Sequence, residues 1–167
     1  MHYDANGNVR RVGEKERFWL DARGKLREFV VTGENTRVSF HHDHLGRLVA
    51  WYDSNGRALQ YFYANPTDDF EVTHVHDPRA GLTQRLLYDD KGFLVAIETS
   101  GGQRIFVATD QVGSPVLVFR QDGSVLKELE YSVFGRIMLD GNPSLSIPVG
   151  FHGGLVLPHS SMLYMPR

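Results

Sequence analysis

Five histidines, His41, His42, His44, His74 and His76, and a scatter of Asp residues are the side chains here with the means to hold a metal ion. Imidazole suits a transition metal when two or three rings converge with a carboxylate. In an extended chain the period of two puts His42 and His44 on one face and His41 on the other, but His44 falls inside the turn before Gly46 and spacing sets no acidic partner. Asp4-Ala5-Asn6-Gly7 and Asp53-Ser54-Asn55-Gly56 share the opening of a calcium loop. One ligand position is missing from each, and the bidentate Glu needed at the twelfth position is Lys15 or Ala64. These groups are read as surface histidines and hairpin turns.

The carboxylate pairs Asp68/Asp69 and Asp89/Asp90 are sequence neighbours in turns, whereas paired catalytic acids must oppose each other in space. No Gly-x-Ser-x-Gly elbow and no His-Glu-x-x-His helix occurs, and the absence of Cys removes thiol chemistry, disulfides and Cys-based zinc sites. The expectation is a non-enzyme with no catalytic, cofactor-binding or metal residue. A metal-dependent hydrolase using the histidines and turn carboxylates is the less favoured alternative.

What would position such residues follows from composition and repetition. The chain has 167 residues, 41% apolar and 23% charged, which suits one folded domain rather than a disordered or membrane-spanning one. The net charge of −2 is spread without like-charge runs, and Arg23, Lys25 and Arg27 read as a solvated strand face, so nucleic acid is not an expected partner. No apolar stretch is long enough for a signal peptide or a bilayer span, and no membrane contact by this segment is expected. Asn65-Pro66-Thr67 and Asn142-Pro143-Ser144 have Pro where a glycosylation acceptor forbids it. The aromatic residues, Trp19 and Trp51 among them, are read as strand and core residues rather than a carbohydrate platform.

Asp followed three residues later by Gly occurs at Asp4, Asp21, Asp43, Asp53, Asp89 and Asp110, six of the twelve Asp residues, and Ser132/Gly135 is a relative. Three cases read Tyr-Asp-x-x-Gly: Tyr3–Gly7, Tyr52–Gly56 and Tyr88–Gly92. The carboxylate can cap the turn and Gly can take positive φ, after which a strand resumes. Several units lie roughly 20 residues apart, the length of a short hairpin with its turns.

The apolar runs between turns predict strands over Arg17–Leu20, Leu26–Val31, Arg37–His41, Leu48–Tyr52, Leu59–Tyr63, Glu71–Val75, Arg85–Tyr88, Leu94–Glu98, Arg104–Val107, Val116–Phe119 and Leu126–Val133. Phe93, Val95 and Ile97 are expected on one face, as are Leu129, Tyr131 and Val133. Only in Ser124–Phe134 does a helix compete. The stretch from Asp110 to Gly154 is the most distinctive, with its Gly-Ser-Pro start, short hairpin, Glu-Tyr-x-x-Phe-Gly-Arg segment and Gly-Phe-x-Gly finish.

The repeated Tyr-Asp-x-x-Gly unit resembles the YD or Rhs repeats of bacterial Rhs and insecticidal toxin-complex proteins and of animal teneurins. Phe62-Tyr63-Ala64, Glu71-Val72-Thr73-His74, Asp110-Gln111-Val112-Gly113-Ser114-Pro115-Val116, Tyr131-Ser132-Val133-Phe134-Gly135-Arg136-Ile137 and Gly150-Phe151-His152-Gly153-Gly154-Leu155 narrow the resemblance to the late YD repeats and Rhs-associated core of a teneurin. The resemblance covers about residues 1–155, and the tail 156–167, VLPHSSMLYMPR, departs from it.

The resemblance implies an all-β fold, consecutive antiparallel hairpins forming a curved sheet that is a slice of a spiralling β-shell. It implies a part in an extracellular, single-pass cell-surface protein of cell adhesion, signalling and neuronal connectivity. The partners it implies are the rest of its own shell, a second teneurin in homophilic contact, and latrophilin-type receptors. The alternative is part of a bacterial shell that encapsulates a toxin. The ending at the tail suggests a fragment or truncated product. A slice of such a shell has unpaired edges, so the isolated chain is expected to be marginally stable or to self-associate.

Overall fold

A computed structural model describes residues 2–32, 35–159 and 163–165. It is all-β, apart from a short 3-10 turn at Phe151–Gly153. The chain divides into two compact units, residues 1–61 with 77–81 and residues 62–76 with 82–167.

The first unit carries β1 (His2–Tyr3), β2 (Val9–Val12), β3 (Glu16–Leu20), β4 (Leu26–Val31), β5 (Thr36–His42), β6 (Leu48–Asp53) and most of β7 (Ala58–Phe62). The second carries β8 (His74–Asp77) but for its last residue, β9 (Leu82–Tyr88), β10 (Leu94–Thr99), β11 (Arg104–Thr109), β12 (Pro115–Phe119), β13 (Val125–Tyr131) and β14 (Ile137–Asp140). Within each unit strand order follows chain order, and neighbours such as β3 and β4 or β12 and β13 pair antiparallel. A separate ladder joins β15 (Leu155–Val156) to β16 (Leu163–Tyr164). Of the tail, Ser160–Met162 and Pro166–Arg167 lie outside the described residues.

One loop geometry makes most of these hairpins. At Asp4 the backbone N–H donates to the Asn8 carbonyl (2.9 Å) and the Gly7 N–H to the Asp4 carbonyl (3.0 Å). Asp4 Oδ1 meanwhile accepts from the amides of Asn6 (3.0 Å) and Asn8 (2.9 Å). The same carboxylate pair of bonds recurs at Asp21, Asp43, Asp53, Asp89 and Asp110. At Ser132 a hydroxyl takes the second role, accepting from Arg136 N–H at 3.1 Å. Loops at Thr99–Gln103, Arg120–Ser124 and Gly150–Gly154 have the same backbone bonds without an Asp in first place. This is a type I turn followed by one left-handed residue, and that residue forms a bulge with the next strand. Gly satisfies it without steric cost, as at Gly113 (φ +84°) and Gly135 (φ +79°).

The bulges shift register by one residue, as at Trp19/Leu20, His41/His42 and Glu130/Tyr131. That shift corrects one expected face. Leu94, Ala96 and Ile97 are buried while Val95 is exposed, because pairing with β9 slips between Leu94 and Ala96. Val133 also leaves its expected face: β13 ends at Tyr131, and Val133 sits in the turn. The strand expected over Glu71–Val75 begins at His74. Glu71 is held by the preceding loop instead, its carboxylate accepting from Asn65 Nδ2 at 2.9 Å. Ser124–Phe134 holds strand β13, not a helix.

Alternation elsewhere builds a core in each unit. In β5, Thr36, Val38 and Phe40 are buried while Arg37 and His41 face water. Phe18 stacks on Phe29 at 5.4 Å, and fully burying a side chain of this size contributes about 1.5–3 kcal/mol. In the second unit Leu86, Leu94, Ile97, Val118, Leu129 and Leu155 are the counterparts.

Candidate functional site

The structure places the histidines on different duties. His41, on β5, is exposed and meets Tyr52 edge-on at 5.3 Å. His42 ends β5 half-buried, and burial, then the charge of Lys25, lowers its pKa. His44 lies in the Asp43–Gly46 turn. On β8 and its approach, His74 Nδ1 lies 3.0 Å from Thr73 Oγ1 and His76 Nδ1 lies 3.0 Å from Thr83 Oγ1. Among the described residues, no three His, Cys, Asp or Glu side chains converge in a way that could hold a metal.

Four of the candidate carboxylates are likewise occupied. Asp4, Asp53 and Asp89 cap their own loops, and Asp68 Oδ1 accepts from Phe70 N–H at 3.0 Å. The amide of Asn8 holds the Asp4 carboxyl below its ordinary pKa, and the amide of Lys25 does the same for Asp21.

Distinctive chemistry gathers instead around β13 and β14. The alternation Val125, Lys127, Leu129, Tyr131 puts a lysine in the row of the buried Leu129, and the structure buries it. Lys127 Nζ donates to Asp140 Oδ2 (2.8 Å), the Asn142 carbonyl (2.9 Å) and the Leu145 carbonyl (3.0 Å), and lies 2.7 Å from Asp140 Oδ1. Asn142 adds a bond from Nδ2 to the Leu126 carbonyl at 2.9 Å, and Gly141 N–H donates to the Glu128 carbonyl at 2.9 Å. One buried cation with oxygen partners from three residues thus folds the 140–145 loop onto β13. Such a charge is tolerated in the interior only with partners of this completeness.

Beside this clamp lies an apolar cleft of about 350 Å³, walled by Leu129, Ile137, Pro143, Leu145, Ile147 and Phe151. The turn next to it is anomalous. Val133 is 85% exposed and Phe134 93%, where other turns of this kind carry residues such as Ala5-Asn6, Ser54-Asn55 and Asp90-Lys91. Strand β14 continues the patch with Ile137, Met138 and Leu139 all exposed, and the strand order ends there. The arrangement sets an exposed apolar patch beside an apolar cleft. The strand expected through Val133 hides this turn in the sequence, where two large apolar residues side by side are its signal.

Comparison with known proteins matches this architecture. The Teneurin YD-shell family model matches residues 1–167. Teneurin-m of Drosophila melanogaster is 43% identical over 165 residues, covering 98% of this chain and 6% of its own length. Teneurin-1 of Homo sapiens is 37% identical over 152 residues, covering 91% of this chain and 6% of its own. Among solved structures, the crystal structure of TcdB2-TccC3-TEV superposes with a TM-score of 0.69 at 16% identity over 92% of this chain and 8% of that one. A structure of the Photorhabdus luminescens Tc holotoxin pore superposes at 0.66 with 18% identity and the same coverage. At these identities the solved structures show a shared fold. The chain spans about 6% of the length of the curated relatives it matches.

Proposed function

The chain belongs to the teneurin YD-shell family, and from that premise we propose that it is a non-catalytic structural and interaction module of a larger cell-surface protein of adhesion and signalling. The observation that carries this reading is the family match over residues 1–167. Residues 1–155 are the shell-repeat part and 156–167 a divergent tail. The longer protein carries this segment on the extracellular face, and its partners there are proteins: a second teneurin, a latrophilin-type receptor, and the remainder of its own shell.

Loop capping engages Asp4 and Asp53, and neighbouring hydroxyls meet His74 and His76, which supports a non-catalytic role. The toxin-shell alternative has a common fold behind it, while the 43% identity over nearly the whole chain favours the teneurin reading. The test uses the full-length protein containing this segment, expressed in non-adherent cells. Surface labelling by a membrane-impermeant reagent, and aggregation with cells bearing the same protein or a latrophilin-type receptor, are expected. A protein shielded from the reagent in intact cells, or one that aggregates no cells, overturns the reading.

A further inference from the structure

Six asparagines occur in the chain, and the residue after each sets its chemistry. An asparagine side-chain amide is open to attack by the next backbone nitrogen, which closes a five-membered ring and expels ammonia. Asn65 and Asn142 precede Pro66 and Pro143, whose nitrogens have no proton to give up. Asn8 and Asn35 precede Val9 and Thr36, whose branched side chains crowd the attacking nitrogen. Asn6 and Asn55 precede Gly7 and Gly56, which impose neither obstacle.

The structure sharpens the contrast. Nδ2 of Asn8, Asn65 and Asn142 donates to the Asp4 carboxylate, the Glu71 carboxylate and the Leu126 carbonyl. Asn55 is exposed, and no hydrogen bond among the described residues holds its side-chain amide. A side chain on Gly56 would meet nothing within 4 Å, so the space beside it is open. The Gly56 nitrogen is restrained by its bond to the Asp53 carbonyl, at 3.2 Å the long end of the 2.9–3.2 Å found in loops of this kind. The reagents are the chain's own nitrogen and water, so no partner surface has to be free.

We propose that Asn55-Gly56 is a site of spontaneous covalent modification that unfastens the β6–β7 hairpin. The Gly56 nitrogen bonds to Asn55 Cγ and loses its proton, and the side-chain nitrogen leaves as ammonia. Water then reopens the ring at either carbonyl. Breaking the bond to Cγ leaves aspartate, whereas breaking the original peptide bond leaves isoaspartate, with a methylene added to the main chain. The front of the loop is fixed against that insertion, since Ser54 N–H donates to the Arg37 carbonyl (2.9 Å) and Ser54 Oγ accepts from Arg37 N–H (3.2 Å). Asp53 Oδ1 accepts from the amides of both Asn55 (2.8 Å) and Arg57 (2.9 Å). The lengthened chain carries the Arg57 amide away from this carboxylate and breaks the pairing of Tyr52 with Ala58. Asn6-Gly7 shares the reaction but closes a hairpin whose first strand has only two residues, while β6 and β7 hold Trp51, Ala58 and Tyr61 in the core.

The test ages the full-length protein containing this segment at mildly alkaline pH. Peptide mass mapping, labelling by an isoaspartyl methyltransferase and hydrogen exchange are the readouts. The expected result is conversion of Asn55 to aspartate and isoaspartate while Asn65 and Asn142 stay intact, with amide protection lost across β6 and β7. Asn55→Gln, which would need a larger ring, is expected to keep its mass and its protection on ageing. Fresh Asn55→Asp, which has the new charge without the added methylene, is expected to keep its protection too. An Asn55 that stays intact in the aged protein overturns the proposal. So does isoaspartate at this position with protection unchanged, or protection lost equally in aged Asn55→Gln or already in fresh Asn55→Asp.

Discussion

Gly135 and Phe151 approach so closely that a methyl group on Gly135 would stand 2.6 Å from Phe151 Cδ1. Gly135 also holds φ +79°, so the position excludes a side chain twice over. Gly56 has nearly the same φ, +76°, with open space around it. Gly56→Ala is therefore expected to cost only the backbone term, about 1–2 kcal/mol, and Gly135→Ala about 2–5 kcal/mol through added overlap with the ring. Urea denaturation of the two variants checks this. Equal losses would mean that the ring yields freely.

Lys127→Met should destabilise the second unit by about 3–5 kcal/mol, because it leaves the Asp140 carboxylate and two carbonyls without their shared donor. The double variant Lys127→Met/Asp140→Asn should recover part of that loss, since the stranded charge is then gone. A double-variant cycle in chemical denaturation reads the coupling. A coupling near zero would show that the clamp is ornamental to stability.

Acid should loosen the turns. Partial burial pushes the Asp110 carboxyl up, but the amides of Ser114 and Val112 more than offset this and hold its pKa below the ordinary 3.8. Asp4 and Asp21 are lowered chiefly by the amides of Asn8 and Lys25. A depressed folded pKa gives stability that is present above the unfolded value and is lost as pH falls through the folded one. Thermal midpoints should therefore hold near neutrality and fall below about pH 4. Asp110→Asn should make the acid limb shallower, and an unchanged limb would remove Asp110 from the account.

Alkali should act through buried phenols. Burial pushes the Tyr61 hydroxyl up to about 12, against a smaller opposing effect of the bond from Trp51 Nε1 at 3.1 Å. Tyr131 is likewise raised by burial to about 12. A raised folded pKa contributes stability that is complete below the unfolded value near 10 and is lost as pH climbs toward 12. Absorbance titration should show these tyrosines ionising late, and melting points should fall above pH 10. Simple titration of all tyrosines near 10 would contradict the burial.

Much of the fold was legible because its signals are local. An Asp-x-x-Gly loop needs only its own carboxylate, its own amides and one left-handed glycine, so Asp4–Gly7 and Asp89–Gly92 could be placed from spacing alone. Loops such as Thr99–Gln103 escaped because the backbone bonds tolerate a weaker cap, and only the geometry shows the kinship. Short polar strands such as Val9–Val12 escaped for another reason: pairing with neighbours, not propensity, makes them strands.

The surroundings of Lys127 were less legible. Lys127 stood in an apolar row for anyone to see, but its three oxygen partners come from Asp140, Asn142 and Leu145, whose approach depends on how the chain returns after β14. By itself the sequence determined the repeat, the turn chemistry and the all-β family, since each rests on contacts among residues a few positions apart. Only the tertiary structure decided which strand ends the row, which lysine loses water and which phenylalanine keeps it. Burial is a property of what packs over a residue: the turn position of Phe134 hinted that it would be exposed, but the apolar cleft nearby is built by residues from 127 to 163.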